Sequence, residues 1–302
     1  MSISTDAPPV SRTAWSSWLL AIRPKTLPAA VSPVIVGCAV AWSLGAFAWL
    51  PALAAVSVAL LLQMGANLAN DVADFRAGAD TVERLGPTRV TQSGLLSQRK
   101  VVVATAVVLG AATIPGLYLT WLGGPLFLIV GLLAILSAVA YTAGPKPFGY
   151  IGLGEVFVFV FFGPVAVVGT VFVMARETPG LAWLASIPMG CLITAILVVN
   201  NLRDIRTDKK AGKKTVAVRI GEIGARWEYA LLLAVAYVVP LGMWIAGASP
   251  ASILLPWATI PLAIVLIRNV WTVSGAALNT VLGSAARLCL WFAVALAVGI
   301  ML

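Results

Sequence analysis

Two acidic stretches decide the fold of this 302-residue chain, namely Asn67-Leu-Ala-Asn70-Asp71-Val-Ala-Asp74 and Asn200-Asn-Leu-Arg203-Asp204-Ile-Arg-Thr-Asp208. Each ends a long apolar run and contains the spacing Asn-x-x-x-Asp, and the second continues to an aspartate four residues further on. Residues four apart lie on one face of an α-helix, with Cβ atoms about 6 Å apart. The spacing therefore predicts a short ladder of oxygen atoms on each of two helices. The predicted members are Asn67 and Asp71, with Asp74 beside them, and Asn200, Asp204 and Asp208.

Acidic side chains at membrane depth are costly unless a cation lies between them. Because hard cations bind carboxylate and phosphate oxygens together, the two ladders indicate a site for Mg²⁺ that carries a diphosphate. The alternative is a solvated loop on which acidic and basic residues simply alternate, and it stays open for residues 209–214. It is a poor explanation of Asn67, Asp71, Asn200 and Asp204, since these residues continue directly from apolar runs.

The composition is that of a polytopic membrane protein of the all-α class. Apolar side chains make up 61% of the chain and charged ones only 10%, whereas about a quarter of a water-soluble domain is charged. The chain has no histidine, which removes the usual general base and the usual nitrogen ligand of transition metals. Its three cysteines, Cys38, Cys191 and Cys289, are far apart in apolar segments and are interpreted as small core residues.

Apolar segments long enough to cross about 30 Å of hydrocarbon follow one another along the chain. We expect residues 1–12 to form a polar tail, and residues 13–302 to form one membrane domain that begins with a short interfacial helix. A weak repeat of the Asn-x-x-x-Asp spacing followed by glycine predicts two pseudo-repeated halves, at about 23–122 and 123–302. The nine predicted transmembrane segments are 27–47, 49–70, 100–120, 123–141, 151–174, 182–203, 227–247, 250–268 and 283–302.

Basic residues are distributed very unevenly over the loops between these segments. With the N-terminus on the cytoplasmic side, all of the 20 basic residues except Arg176 fall in cytoplasmic stretches. The positive-inside rule then predicts a cytoplasmic N-terminus and an outer C-terminus. We expect the protein to be in the plasma membrane of the cell. The net charge of +9 follows from this topology and from any anion site, so that a nucleic-acid partner need not be invoked.

Basic residues beside the acidic stretches suit a diphosphate, whose oxygen atoms gain negative charge as the carbon–oxygen bond breaks. Cations aimed at those oxygens stabilise the ionising state more than the ground state, which is the requirement for catalysis. For each of these basic residues, the alternative to a role in diphosphate binding is that it contacts lipid headgroups or is present only because of the positive-inside bias. The candidates are Lys25, Arg89, Lys146 and Arg203.

A turn rich in glycine and proline, residues 141–155, precedes the fifth segment and ends in Glu155. A carboxylate about one turn into a membrane segment needs a partner or a function. Glu155 either orients or deprotonates an aromatic hydroxyl, or it interacts with the helix dipole as an N-terminal acid. The bulky run at 156–162 either lines a path for an isoprenoid tail or, as fits most of its residues, faces lipid and neighbouring helices.

Six stretches together carry a resemblance to a known family. They are Arg23-Pro-Lys25-Thr-Leu-Pro, Asn67-Leu-Ala-Asn70-Asp71-x-x-Asp74, Arg84-x-Gly-Pro-x-Arg89-x-x-Gln92-x-Gly94, Tyr141-Thr-x-Gly-x-Lys146-Pro, Gly152-Leu-Gly-Glu155 and Asn200-Asn-x-Arg203-Asp204-Ile-x-x-Asp208-x-x-x-Gly212-Lys213-x-Thr215. From about residue 23 onward, the chain resembles the UbiA superfamily of intramembrane aromatic prenyltransferases. The Arg-x-Gly-Pro and Asn-Asn-x-Arg-Asp-Ile stretches are similar to its naphthoate branch. One departure is Gly78, where many members carry a third aspartate, and Asp80 is the nearest acid.

The resemblance implies nine transmembrane helices around a central cavity that opens toward the cytoplasmic side. It also implies Mg²⁺ as the cofactor, a polyprenyl diphosphate donor and 1,4-dihydroxy-2-naphthoate as the acceptor, in the lipid bilayer. Carried over by position, the metal ligands are Asn67, Asp71, Asp74, Asn200, Asp204 and Asp208. The implied substrate-binding residues are Lys25, Asn67, Asn70, Arg89, Gln92, Asn200, Asn201, Arg203 and Lys209, and the implied catalytic residues are Asp71, Tyr141, Lys146, Glu155 and Asp204.

In the implied reaction the prenyl group replaces the carboxyl group, so that CO₂ and diphosphate leave and demethylmenaquinol forms. The diphosphate departs with metal assistance, the aromatic ring attacks the allylic cation, and loss of CO₂ restores aromaticity. Two alternatives stay open. One is a prenyltransferase with another acceptor, such as 4-hydroxybenzoate, homogentisate or a phosphosugar. The other is a membrane transporter, which needs its site near the midplane with access from both sides.

Overall fold

A computed structural model describes residues 14–76, 78 and 85–302 of the chain. The regular secondary structure of the described residues is helical and includes no β-strand, which confirms the all-α prediction. Asp80 and the polar tail lie outside them. The α-helices are α1 (Ala14–Ile22), α2 (Leu27–Ser43), α3 (Trp49–Arg76), α4 (Gln98–Gly123), α5 (Pro125–Ala140), α6 (Gly154–Val160), α7 (Ala166–Ala175), α8 (Gly180–Lys210), α9 (Val216–Ile245), α10 (Ile260–Thr272) and α11 (Leu278–Met301).

Each of the nine predicted transmembrane segments coincides with one α-helix or with helical pieces joined end to end, such as the 3₁₀-helix Ala251–Thr259 and α10. Within the described ranges, eight segments are long and apolar enough to cross a membrane, and α5 is a shorter apolar helix of 16 residues. Helix α1 takes the place of the predicted interfacial helix. The chain is therefore an integral membrane protein. Its division into two pseudo-repeated halves and the side of the membrane on which its cavity opens stay predictions.

Helix α8 lies at the centre of the bundle and is the most buried of the candidate spans among the described residues. Its apolar face, which includes Val198, Val199 and Leu202, packs in a core shared with α2, α9 and α11. By contrast, α5 has no buried residue and lies at the periphery. Because the core surrounds most of α8, the polar residues at its C-terminal end are held in a fixed position at one end of the bundle.

Close backbone contact joins α8 to the fifth predicted segment. That segment is α6, a π-helical turn at Phe161–Val165 that contains Pro164, and α7. A Cβ atom added to Gly163 would lie 2.9 Å from the carbonyl oxygen of Ser186 in α8. The missing side chain thus lets the two helices pack against each other, and the N-terminus of α6 is placed beside the polar end of α8.

Candidate active site

A polar pocket lies where the C-terminal ends of α3 and α8 meet the loops at the same end of the bundle. Its cavity volume is about 90 Å³, and the pocket is open to solvent on one side. Helix α3 supplies two lining residues and α8 supplies five, and the remainder come from the α1–α2 junction and three loops. The lining residues are Arg23, Asn70, Asp74, Arg89, Tyr141, Thr142, Gly149, Tyr150, Asn200, Asn201, Asp204, Thr207, Asp208, Lys213 and Thr215.

Asn70 and Asp74 are the residues of α3 that line the pocket. They are four residues apart and so share one face of the helix. Asp74 accepts a hydrogen bond on Oδ1 from the hydroxyl of Tyr150 at 2.7 Å, and its Oδ2 pairs with the guanidinium of Arg89. The amide oxygen of Asn70 accepts a hydrogen bond from the hydroxyl of Thr142. Both side chains are therefore held with their oxygens at the pocket wall.

The predicted ladder of Asn67 and Asp71 lies on a different face of α3, outside the pocket lining. Asp71 is buried, and its carboxylate accepts hydrogen bonds from the backbone N–H groups of Val90 at 3.0 Å and Thr91 at 2.9 Å. Asn67 donates from its amide nitrogen to the hydroxyl of Thr26 at 3.0 Å. These hydrogen bonds connect α3 to neighbouring segments, and each carboxylate oxygen of Asp71 already accepts one of them. The pair in the lining is the one that begins three residues later, Asn70 and Asp74, and a ligand role for Asn67 and Asp71 stays a prediction.

The ladder predicted on α8 lies in the pocket, where Asn200, Asp204 and Asp208 all contribute to the lining. Arg203 is buried beside it and donates from Nε and Nη2 to the two oxygens of Asp204, at 2.8 and 2.5 Å. Its Nη2 also donates to Asn200 at 2.9 Å, and its Nη1 donates to Asn279 of α11 at 2.8 Å. Arg203 is not part of the lining, so it orients two pocket residues from behind.

Tyr141 and Asn201 line the pocket on the side next to α6, and Glu155 lies behind Asn201. Glu155 is buried, and its Oε1 accepts a hydrogen bond at 2.8 Å from the amide of Asn201, which lines the pocket. Burial raises the pKa of the Tyr141 phenol well above its ordinary value, and the carboxylates of Glu155, Asp208 and Asp74 raise it further. Because Tyr141 lines the pocket, its phenol O–H can donate a hydrogen bond to a ligand there.

The basic residues predicted to bind phosphate fall into two groups. Arg89 lines the pocket, whereas Arg203 contacts two pocket residues from behind. The lysines of the set are exposed and lie outside the lining, because each is on a solvent-facing side of its turn or helix end. These lysines are Lys25, Lys146 and Lys209, and Gln92, which was predicted to bind substrate and is partly exposed, is outside the lining as well.

Seven residues that were not predicted as site residues line the pocket, namely Arg23, Thr142, Gly149, Tyr150, Thr207, Lys213 and Thr215. Arg23 stands in the same motif as Lys25, and its φ of 53° is a left-handed conformation that is uncommon outside glycine. Tyr150 belongs to the Gly- and Pro-rich turn, and Lys213 belongs to the loop that follows α8. Their positions in recognised motifs were a signal, but their spacing alone did not indicate which side chains turn inward.

The donor set suits a hard divalent cation that arrives with its ligand. Asparagine and aspartate oxygens of the two ladders face one pocket, and Mg²⁺ prefers oxygen ligands. Among the described residues, no group of three acidic, histidine or cysteine side chains is arranged to hold a metal ion by itself. Mg²⁺ usually keeps several waters and binds through one or two carboxylates plus substrate phosphates. The residues present therefore fit Mg²⁺ bound together with a diphosphate.

A comparison with protein families agrees with this chemistry. The model of the UbiA prenyltransferase family matches residues 30–282, which include both ladders and the loops around the pocket. The chain belongs to the UbiA prenyltransferase family. The expected superfamily membership is thereby confirmed, and the UbiA match covers α8 and its neighbours, on which the pocket is built.

Curated UbiA relatives carry names that agree with the naphthoate branch. The 1,4-dihydroxy-2-naphthoate octaprenyltransferase of Mycobacterium tuberculosis is 41% identical over 248 residues, which cover 82% of each chain. The protein of the same name from Escherichia coli is 42% identical over 233 residues, which cover 74% of each chain. This level of identity extends over most of the membrane domain.

Solved structures share the fold at much lower sequence identity. A UbiA homolog from Archaeoglobus fulgidus, bound to GPP and Mg²⁺, has a TM-score of 0.64 and 16% sequence identity, and the match covers 93% of this chain and 99% of that chain. The similarity supports the fold of the described helices.

Proposed function

We propose that the chain transfers a polyprenyl group from polyprenyl diphosphate to 1,4-dihydroxy-2-naphthoate in a Mg²⁺-dependent reaction. The bond from the prenyl carbon to the diphosphate oxygen breaks, a bond to the ring carbon forms, and CO₂ and diphosphate leave to give demethylmenaquinol. The observation that carries the proposal is the convergence of two oxygen ladders, on α3 and α8, in one pocket. The names of relatives more than 40% identical to the chain support the choice of acceptor.

The ladders would hold the magnesium and diphosphate end of the donor. When bound, Mg²⁺ neutralises negative charge that develops on the departing diphosphate oxygens. Among the basic residues, Arg23 lines the pocket and Arg89 orients Asp74. Arg203 fixes the carboxylate of Asp204 with two hydrogen bonds, so that it is aligned before the ligand binds. The proposed ligand residues are Asn70, Asp74, Asn200, Asp204 and Asp208.

The wall next to α6 would bind the aromatic acceptor. The protonated phenol of Tyr141 offers a donor to an oxygen of the acceptor, and the amide of Asn201 offers a second polar contact. Glu155 does not line the pocket but accepts the amide N–H of Asn201, which fixes the direction of that side chain. We therefore propose that Glu155 is a positioning residue for Asn201, rather than the group that takes a proton from the acceptor.

An aromatic row leads from the pocket along α6 and suits the prenyl chain. Phe148, next to the lining residue Gly149, stacks on Phe157 with ring centroids 4.2 Å apart, and Phe157 stacks on Phe161 at 6.2 Å. Apolar walls of this kind exclude water that would otherwise react with an allylic cation. The row supports a path for the isoprenoid tail, although Val156 in the same run is exposed at the bundle surface.

The position of the pocket along the helices argues against the transporter alternative. Asn70 is 21 residues from the start of α3, and Asn200 is 20 residues from the start of α8. At 1.5 Å per residue, both ladders lie about 30 Å from the opposite helix ends, which is a full hydrocarbon thickness. The site is thus at one end of the bundle rather than at its midpoint. With the basic loops inside, that end would face the cytoplasm, in the plasma membrane, with the C-terminus outside.

A product analysis tests the proposed reaction. Purified protein in detergent would be given Mg²⁺, a labelled polyprenyl diphosphate, and in parallel 1,4-dihydroxy-2-naphthoate, 4-hydroxybenzoate or homogentisate. We expect a decarboxylated, prenylated naphthoquinol by mass spectrometry, no product in EDTA, and a much slower formation of product with Asp204→Asn. A product formed only from another acceptor would reject the naphthoate assignment. Turnover that persists in EDTA would reject the metal-dependent mechanism.

A further inference from the structure

Lys213, in the loop between α8 and α9, lies between the two acidic ladders. Its Nζ is 3.4 Å from Oδ1 of Asp74 on α3 and 3.4 Å from Oδ1 of Asp208 on α8. The three side chains are 13%, 7% and 12% exposed, respectively, so that the charges meet away from bulk solvent. One ammonium group therefore joins the carboxylates that belong to different helices.

The position of Lys213 is built by contacts from three sides. The backbone N–H of Lys213 donates to the carbonyl of Asp208 at 2.9 Å, and that of Lys214 donates to the carbonyl of Tyr150 at 2.7 Å. The ammonium lies 4.2 Å from the centroid of the Tyr150 ring, and the hydroxyl of the same tyrosine donates to Asp74. A lysine over an aromatic ring gains further electrostatic stabilisation. The contact is therefore specified by the fold of the loop, not by a flexible surface side chain.

The formal charges of the pocket lining are balanced when Lys213 is counted. The lining contains the three carboxylates of Asp74, Asp204 and Asp208, and the three cations of Arg23, Arg89 and Lys213. A divalent cation that took the same oxygens would add two positive charges next to the ammonium. Repulsion at a few ångströms is strong where solvent is largely excluded. A diphosphate that arrived with the metal ion would bring negative charge to offset both.

We propose that Lys213 is a resident counter-cation that exchanges with the divalent metal ion, so that metal and diphosphate bind tightly only together. This inference rests on the proposed function, in which the two ladders hold magnesium and diphosphate. Lysine suits such an exchange because its ammonium is a compact charge on a flexible stem. Released from Asp74 and Asp208, the ammonium is free to meet the negative charge of the ligand. The coupling between metal and diphosphate would then be reciprocal, as linkage requires.

The test measures metal binding rather than turnover. Full-length protein in detergent would be dialysed to equilibrium against Mn²⁺, with and without inorganic pyrophosphate, and the metal would be quantified on both sides. In Lys213→Met, we expect Mn²⁺ alone to bind about 5- to 150-fold more tightly, the usual range of a coupling between sites. Pyrophosphate should then increase Mn²⁺ affinity by a correspondingly smaller factor. Lys214→Met is the matched control, because that exposed neighbour keeps its backbone contact and should bind Mn²⁺ like the wild type.

Two further variants distinguish a failure of the proposed exchange from a failure of the proposed metal site. Unchanged or weaker binding of Mn²⁺ alone by Lys213→Met would overturn the exchange, and so would an undiminished effect of pyrophosphate. Asp74→Asn should weaken Mn²⁺ binding in every condition, and if it does not, the metal site of the proposed function is wrong instead. If Lys213→Met does not purify as a folded protein, Lys213→Gln removes the same charge with a polar side chain and must give the same increase.

Discussion

The acidic ends of α3 and α8 carry the same sequence spacing, yet they relate to the pocket differently. On α8, the predicted ladder of Asn200, Asp204 and Asp208 lines the pocket. On α3, the predicted pair points elsewhere, and Asn70 and Asp74 take its place. The comparison teaches that a spacing of four determines which residues share a helix face, but not which face meets the ligand.

The difference has a geometric cause. Helix α3 contains two pairs with a spacing of four, which begin at Asn67 and at Asn70. Three residues turn a helix of 3.6 residues per turn by 300°, so the two pairs are only about 60° apart. Which pair faces the pocket depends on the segments that pack against α3, and the N–H groups of Val90 and Thr91 capture Asp71. On α8, three polar residues in one row leave no comparable choice.

The largest expected effect comes from the carboxylates that face the pocket. Asp74→Asn and Asp204→Asn should each lower kcat/KM by roughly 10²- to 10³-fold, as expected when a group that stabilises developing charge is lost. Each variant also removes one partner of a buried ion pair, Arg89–Asp74 or Arg203–Asp204, so some loss of stability is expected and activity is compared per folded molecule. Assays over a range of Mg²⁺ concentrations provide the measurement. Full activity of Asp74→Asn would mean that α3 does not contribute the ladder proposed for it.

A smaller effect is expected behind the α8 ladder, at Arg203. Arg203→Lys keeps the charge but cannot reproduce the two-point contact with Asp204 together with the bond to Asn200. Loss of such orienting contacts typically costs about 10- to 100-fold in metal affinity or activity. We expect the Mg²⁺ concentration for half-maximal activity to rise accordingly, with less change at saturating Mg²⁺. An unchanged metal requirement would show that Asp204 is oriented without this guanidinium.

Asp71 should respond mainly in stability. Asp71→Asn replaces an acceptor of two backbone N–H groups by an amide that has a single acceptor oxygen. One buried N–H is then left without its partner, which costs about 1–3 kcal/mol. Unfolding in mixed micelles with increasing SDS measures this loss, and kcat per folded molecule should fall much less than in Asp74→Asn. A variant that is fully stable but inactive would restore Asp71 as a direct ligand.

The smallest effects are expected at the exposed lysines outside the lining. Lys25→Ala and Lys209→Ala should each change kcat/KM by roughly twofold at most, corresponding to about 0.5 kcal/mol for a surface substitution. Arg23→Ala, at the α1–α2 junction, is the matched comparison because Arg23 lines the pocket. It should raise the KM for polyprenyl diphosphate distinctly more than Lys25→Ala. Equal effects of the two changes would remove the distinction between lining and exposed cations.

Much of the fold could be predicted from the sequence, because a membrane-spanning helix is recognised from local features of the chain. Nine apolar runs of suitable length gave the helices, since a span needs little more than length and apolar side chains. The ladder on α8 could be predicted from the sequence because a spacing of four residues places its three side chains on one face of the helix. The sequence did not predict that Asn70 rather than Asn67, and Arg23 rather than Lys25, lines the pocket. The orientation of these side chains depends on contacts with segments far apart in sequence. Tyr150 and Lys213 illustrate this most clearly, since they meet only through the packing of two loops.

The central claim is that both ladders hold one metal–diphosphate ligand, through Asp74 on α3 and the aspartates of α8. The most direct test is a crystal structure of the protein with Mn²⁺ and an unreactive prenyl thiodiphosphate, in which anomalous scattering locates the metal. The account predicts an anomalous peak in the pocket, coordinated by Asp74, Asp204 or both and by oxygens of the diphosphate. A peak at Asn67 and Asp71, or a diphosphate bound away from the space between α3 and α8, would contradict it.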